Sequence, residues 1–409
     1  MSFQQGLSGL NAASKQLEVI GNNVSNANTV GFKQSRAEFS DVFANSLNGS
    51  GTSQIGIGTK VSNVAQQYTQ GNITATNNSL DIAINGGGFF RMSNNGSITY
   101  SRNGQFQMDK SGYIVDASNK RLTGYTADPS GALSSGAPAE LKIDTGDLQP
   151  SSSTEVVGLV NLDSRKTALT AAGFDPSDPT TYHNSTAVTV FDSLGNSHTL
   201  QSFFVKTAPG VWDVFTAANG VSTTVLPAPT ATMTFTGTGV APTITPASAA
   251  PVSFPVTTGA TTPVPMTIDF SGSTQFGSNF SVNSLSQDGF TSGRLAGFNT
   301  SADGTIVGRY TNGQSKTLGQ VVLANFVNPN GLQSLGGNAW ADSATSGAAL
   351  IGTPSTGSLG VLQSLAVEDS NVDLTAELVN MITAQRIYQA NAQTIKTQDQ
   401  VLQTLVNLR

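Results

Sequence analysis

The chain of 409 residues has no cysteine, so disulfides, thiolate metal sites and cysteine nucleophiles are all excluded. Charge is scarce too: Asp, Glu, Lys and Arg make up 11% of the sequence, against about 25% in an average domain. The net charge is -6 and no Lys/Arg cluster occurs, which removes the electrostatic footprint of a nucleic-acid or anionic-membrane binder. No apolar run is long enough to cross a bilayer, and MSFQQGLSGLNAASKQLEVIGNN lacks the basic start and unbroken apolar core of a cleavable signal. What remains is a surface built mainly from Ser, Thr, Asn, Gln and Gly, on a chain long enough for two to four domains.

Apolar periodicity is clearest at the two ends. Phe3, Leu7, Leu10, Ser14, Leu17, Gly21 and Val24 fall at alternating spacings of four and three, which predicts a helix with one mostly apolar seam. Ser2 and Gln5 read as a capping box at its start. Leu374, Leu378, Met381, Gln385, Tyr388, Ala392, Ile395, Asp399, Leu402 and Val406 repeat the pattern, with Asp373 as N-cap. No Pro or Gly interrupts residues 371–409. Both ends carry a seam while the interior reads as β, so the expected partners of these helices are each other and neighbouring copies of the chain. Val379, Ile382, Ile387 and Leu405 would still need cover, and a head-to-tail contact that does not close builds a filament. Polymerisation through the ends is therefore the expectation from the residues alone.

Strand signals fill the middle: SLDIAIN, with Leu80, Ile82 and Ile84 on one face, then SITYSRNGQFQM, TAVTVFDSLGNSHTLQSFFV and the run through Trp212 and Val214. Asn95-Gly96, Asn103-Gly104, Asn219-Gly220, Asp288-Gly289, Asp303-Gly304 and Asn312-Gly313 are read as turns of positive φ in two-residue hairpin loops. From Val214 to Ile268 no Asp, Glu, Lys or Arg occurs. Met233, Phe235, Phe254, Met266, Ile268 and Phe270 can still supply a core there, so an ordered outer domain is expected over a linker.

Little chemistry is on offer. His198 follows Asp192 and Ser193 in an apparent turn, but without a nucleophile elbow a solvated turn histidine is the better reading than a Ser-His-Asp triad. Gly56-Ile57-Gly58-Thr59-Lys60 lacks the full spacing of a phosphate loop, and Gly86-Gly87-Gly88 suits close backbone packing. Asp81, Asp109 and Asp192 form no spaced acidic cluster, so no metal, cofactor or catalytic residue is assigned.

Longer motifs carry a resemblance. GNNVSNANTVGFK at Gly21 to Lys33, LDIAINGGGFF at Leu80 to Phe90, YSRNGQF at Tyr100 to Phe106 and the segment Ser370 to Arg409 resemble the rod and hook family of bacterial flagellar axial proteins. Asn22, Asn23, Asn26, Asn28, Gly31, Phe32 and Lys33 fall on the family's signature. VFDSLGNSHTL at Val190 to Leu200, LGQVVLANFVNPNGL at Leu318 to Leu332 and GGNAWA at Gly336 to Ala341 resemble the hook branch, whereas residues 214–268 match weakly.

The resemblance implies a multidomain fold in which paired N- and C-terminal α-helices, coiled-coil-like, carry mainly antiparallel β domains nested as insertions. The implied division is 1–30 plus 370–409 for the helical polymerisation domain and 31–70 plus 360–369 for a connecting segment. An inner β domain would take 71–145 plus 285–359 and an outer one 146–284. The implied function is a structural subunit of a curved, flexible, hollow tube that carries motor torque to the filament. Its polymerisation seam would comprise Phe3, Leu7, Leu10, Leu17, Val24, Leu374, Leu378, Met381, Tyr388, Ile395, Leu402 and Val406. Implied partners are further copies of the chain, the distal rod protein, the hook cap protein, the hook-filament junction protein and the flagellar type III export apparatus, with no nucleic acid and no membrane insertion. The implied location is outside the cell, reached without a cleavable signal. The alternatives are a distal rod subunit, which would build a straight stiff polymer, and a secreted β-rich enzyme with oligomerising ends, which would need paired catalytic carboxylates.

Overall fold

The computed structural model describes residues 2–42, 56–223, 228–245 and 250–407. Parts of the expected connecting segment (43–55) and of the uncharged stretch (224–227 and 246–249) lie outside the described residues, as does the side chain of Leu405. The chain divides into two compact units. One comprises Met1–Thr145, Gly297–Gly308 and Ser315–Arg409, the other Gly146–Ala296 and Arg309–Gln314.

In the first unit the chain begins with α1 (Ser2–Ser25) and ends with α2 (Leu374–Asn407). Asp373 caps α2, its Oδ1 accepting the Thr375 and Ala376 amides at 2.9 and 3.1 Å. Of the capping box expected on α1, the Ser2 side chain lies outside the described residues, and Gln5 Nε2 donates to the Gly56 carbonyl at 2.6 Å. After α1, β1 (Ser35–Val42) and β2 (Gly58–Gln66) form an antiparallel hairpin that packs along α1. β3 (Ile73–Ala75) and β4 (Ile82–Asn85) then pair antiparallel with the returning segments Ala366–Glu368 and Val361–Ser364. The outgoing and incoming chain thus run side by side. The alternation in this stretch predicts one buried face, with Leu80, Ile82 and Ile84, but in β4 Ile82, Ala83 and Ile84 are all buried, because both of its faces are covered.

β5 (Phe89–Asn94) and β6 (Ser97–Ser101) belong to the main sheet of this unit, with β5 between β6 and Arg121–Thr126. Phe89, Tyr100, Phe326 and Trp340 form its aromatic core, joined edge-to-face at ring separations of 4.8–6.0 Å.

The second unit is built on two sheets that enclose one core. Strands Ala250–Phe254, Val264–Asp269, Glu155–Asp163 and Thr274–Phe276 lie in the first; Asn184–Phe191, Ser197–Ala208, Val211–Ala218, Ala231–Thr234 and Thr243–Thr245 in the second. Pairing is antiparallel except where Glu155–Asp163 runs parallel to two neighbours. Phe204, Trp212 and Met233 face the core together with Phe254, Met266, Ile268 and Phe270 of the uncharged stretch and its end. Phe203 and Val205, on the opposite face of the same strand, are covered by Phe174, whose ring stacks on Phe215 at 4.2 Å.

The turn readings hold in part. Asn95-Gly96 and Asn219-Gly220 place both residues at positive φ inside two-residue hairpins. At Asp303-Gly304 and Asn312-Gly313 only the glycine does so, and Asn103-Gly104 and Asp288-Gly289 keep ordinary φ. The last two glycines serve a close approach instead: Gly104 lies against the Ile82 backbone and Gly289 against Ser153.

Candidate functional site

The candidate site is the helix pair and the knot of polar side chains that fastens it to the strands of the first unit. Gly6 and Gly9 mark where α1 approaches α2. A β-carbon on Gly6 would stand 3.1 Å from Ile395 Cγ1, and one on Gly9 2.7 Å from Asn391 Oδ1. Toward the other end of α1, Asn23 Nδ2 lies 3.4 Å from Glu377 Oε2, so the two helices run antiparallel. The buried stripe of α1 is Gly6, Ala13, Ile20 and Asn23. It follows the same four-three rhythm as the sequence seam but lies one residue away, about 100° around the helix. On α2, Glu377 and Ala384 are buried, and Met381, Asn391 and Ile395 are half-buried.

This offset decides where the expected seam residues lie. Phe3, Leu7, Leu374, Leu378, Tyr388, Leu402 and Val406 are exposed; Leu10, Leu17, Val24, Met381 and Ile395 are half-buried. Small residues therefore bring the helices together, and most large apolar ones flank the contact or face away from it.

The signature segment ends α1 and ties it down. Asn23 grips the start of β1 with both amide atoms: Nδ2 donates to the Ser35 carbonyl at 2.8 Å and Oδ1 accepts the Ser35 amide at 2.9 Å. Gln34 donates from its side chain to Glu377 Oε1 and from its backbone to Asn371 Oδ1, both at 2.7 Å. Gly31 has φ of 72°, and a β-carbon there would stand 2.6 Å from the Asn103 backbone nitrogen. Only glycine satisfies both conditions. Asn22 and Asn28 are exposed, Asn26 and Phe32 half-buried, and Asn23, Gly31 and Lys33 buried.

Lys33 reaches a buried carboxylate. Its Nζ lies 2.7 Å from Glu368 Oε1, with neither side chain exposed, and also donates to the Thr69 carbonyl at 2.8 Å. Glu368 Oε2 accepts from Arg102 at 3.1 Å, and Oε1 from the Gly71 amide at 2.9 Å. Burial pulls the Lys33 ammonium below the ordinary lysine range against the attraction of Glu368, and Arg102 pulls in the same direction as burial. The Arg102 guanidinium is likewise lowered by burial and supported by Glu368.

Sequence reasoning named Lys33 but missed Arg102, Gln34, Glu368, Asn371 and Glu377. One signal was present: the apolar run Leu365-Ala366-Val367 leads directly into two adjacent acids, Glu368 and Asp369, in a charge-poor chain. Its partners could not be found that way, because 335 and 266 residues separate it from Lys33 and Arg102.

The histidine reading changes. His198 is buried rather than solvated: Nε2 meets Asp192 Oδ2 at 3.1 Å and Nδ1 meets Asn219 Nδ2 at 3.0 Å. Burial alone would raise the Asp192 carboxyl, but hydrogen bonds from Thr258, Asn196 and His198 outweigh it and hold it well below the ordinary carboxylate range. Both ring nitrogens are engaged, and Ser193 bonds to Thr261 rather than His198, so the three residues form a polar clasp without a nucleophile. Among the described residues, no group of three or more His, Asp or Glu side chains is placed to hold a metal ion.

Comparison with known proteins covers the whole chain. Residues 3–33 match the flagellar basal body rod protein family, 83–158 the flagellar hook protein FlgE/F/G D1 domain, 161–290 the flagellar basal body protein FlaE D2 domain, and 363–408 the flagellar basal body rod FlgEFG protein C-terminal family. The flagellar hook protein FlgE of Escherichia coli is 42% identical over 418 residues, covering 100% of both chains. That of Borreliella burgdorferi is 31% identical over 100% of this chain and 99% of its own. In three dimensions the chain is similar to the crystal structure of Helicobacter pylori flagellar hook protein FlgE2, with a TM-score of 0.53 and 14% identity over 72% of this chain and 99% of that one, a likeness of fold.

Proposed function

The chain belongs to the flagellar hook protein family, and from that premise we propose that the antiparallel α1/α2 pair is its polymerising element, completed only by neighbouring copies. The protein is a structural subunit of the bacterial flagellar hook, a curved, flexible, hollow polymer of one chain that passes motor torque to the filament. Its work is mechanical and not catalytic. The observation that carries the assembly reading is the exposed apolar row Leu374, Leu378, Tyr388, Leu402 and Val406 on α2, joined by Phe3 and Leu7 on α1. Such a row is costly to leave in water and is stabilised when other helices cover it.

On this reading the helices pack with their neighbours in a coiled-coil-like manner. Residues 1–30 with 370–409 form the polymerising layer, 31–70 with 360–369 connect it, and 71–145 with 285–359 and then 146–284 form inner and outer β layers. The asparagine-rich signature sets the angle at which α1 leaves the β body. Charge-poor outer surfaces favour bending, since hydrogen bonds of about 0.5–1.5 kcal/mol net exchange with water as copies slide, where fixed ion pairs would hold one register. Export through the flagellar type III apparatus and contacts to the distal rod, hook cap and hook-filament junction proteins complete the extracellular assembly.

Electron microscopy of salted-out protein tests this. Curved hollow tubes are expected from the full chain and none from a chain lacking residues 1–30 and 370–409. Straight rods would indicate a rod subunit, and tubes from the truncated chain would place assembly in the β units.

A further inference from the structure

α2 is longer than its partner. At 34 residues against 24, it spans about 51 Å against about 36 Å. Gly6 lies against Asn391 and Ile395, which puts the start of α1 near residue 398 of α2, so the last two turns of α2 project past α1. Leu402 and Val406, four residues apart on one face of that projection, are 49% and 74% exposed.

At the far end of the pair lies a groove of about 590 Å³, between α1, β1 and the first turns of α2. Val19, Ile20, Ala37 and Phe39 give it apolar walls, and Phe39 is 39% exposed. Its polar edge is already satisfied: both oxygens of Glu377 take hydrogen bonds from Gln34 and Asn23. Asn380, which lines the groove, stands 22 residues from Leu402, about 33 Å along α2, so the projection cannot reach the groove of its own chain.

We propose that the projecting end of α2 seats in this groove of a second copy, Leu402 and Val406 against Val19, Ile20, Ala37 and Phe39. The inference rests on the hook reading and specifies one of its contacts. Knob and socket sit at opposite ends of one rigid helix, so the contact is head-to-tail and always leaves one free knob and one free socket at the two ends of a row of copies, as a growing polymer requires.

The absence of cysteine makes the test clean. Ala37→Cys and Val406→Cys are made separately, mixed, polymerised and oxidised. The expected result is a disulfide-linked dimer containing one chain of each variant, formed under polymerising conditions only, since a disulfide requires Cα atoms within about 7 Å. Gln16→Cys with Leu402→Cys serves as a second pair. Normal tubes with no mixed dimer from either pair overturn the docking and leave the hook reading standing. If the unsubstituted chain forms no tubes, both fall together. Val406→Asp is expected to raise the protein concentration needed for tubes by about tenfold or more, because a charge would enter an apolar contact; an unchanged threshold counts against the contact.

Discussion

The sandwich core of the second unit and the helix pair of the first are both rich in apolar residues, yet they treat them in opposite ways. Val160, Leu162, Phe204, Trp212 and Met233 are sealed from solvent, whereas α2 buries Glu377 and Ala384 and leaves Leu378, Val379, Ile382 and Ile387 exposed. A sheet that meets another sheet satisfies itself within one chain. Two helices meeting along glycine and alanine satisfy only a narrow stripe, and the wider apolar surface is left for something outside the chain. On the proposed assembly, folding energy is thus concentrated in the β sheets and assembly energy in the helices.

Four substitutions sharpen that contrast, and one titration adds to it. Glu368→Ala leaves Lys33 and Arg102 facing each other in a buried site and is expected to cost about 3–5 kcal/mol, read as a lower urea midpoint for the first unit. Phe204→Ala opens a cavity beside Phe270 and Phe280 and should cost about 3 kcal/mol, followed through Trp212 fluorescence. Asp373→Ala removes the α2 cap and should cost about 1 kcal/mol, seen as reduced helicity by circular dichroism. Leu378→Asp should change monomer unfolding by less than about 0.5 kcal/mol while abolishing tubes; a large loss of monomer stability would show that the exposed row is part of the chain's own core.

Acid should separate the regions as well. Asp192 holds its proton less tightly when folded than when unfolded, so the stability it contributes is complete above its ordinary value of 3.8 and drains away as the pH falls toward its depressed folded value. Asp192→Asn should flatten that acid limb in a pH series of thermal melts. An unaltered limb would move the acid sensitivity elsewhere.

Much of the architecture was legible. The terminal helices, the β interior and the core residues of the uncharged stretch follow from periodicity, because burial on one face leaves a regular trace. The helix contact was displaced by one residue for a related reason. Periodicity registers large apolar side chains, and the stripe that joins the helices is Gly6, Gly9 and Ala13, whose value lies in being small. Turn chemistry was over-read at Asn103-Gly104 and Asp288-Gly289, where glycine answers a crowded neighbour and not a positive φ. The membership of the Glu368 knot was invisible because its partners come from distant segments, and nothing local shows which of two adjacent acids awaits two cations.

That knot also sets a load path. The contact between Lys33 and Glu368 closes a loop of 335 residues without a covalent bond, and the chain ends that leave it are α1 and α2. A pull on the helices reaches this closure before it reaches the hairpins inside the loop. Strain imposed at the ends is therefore resisted where the two strands of chain are pinned together, and the β units are spared being drawn out from their edges.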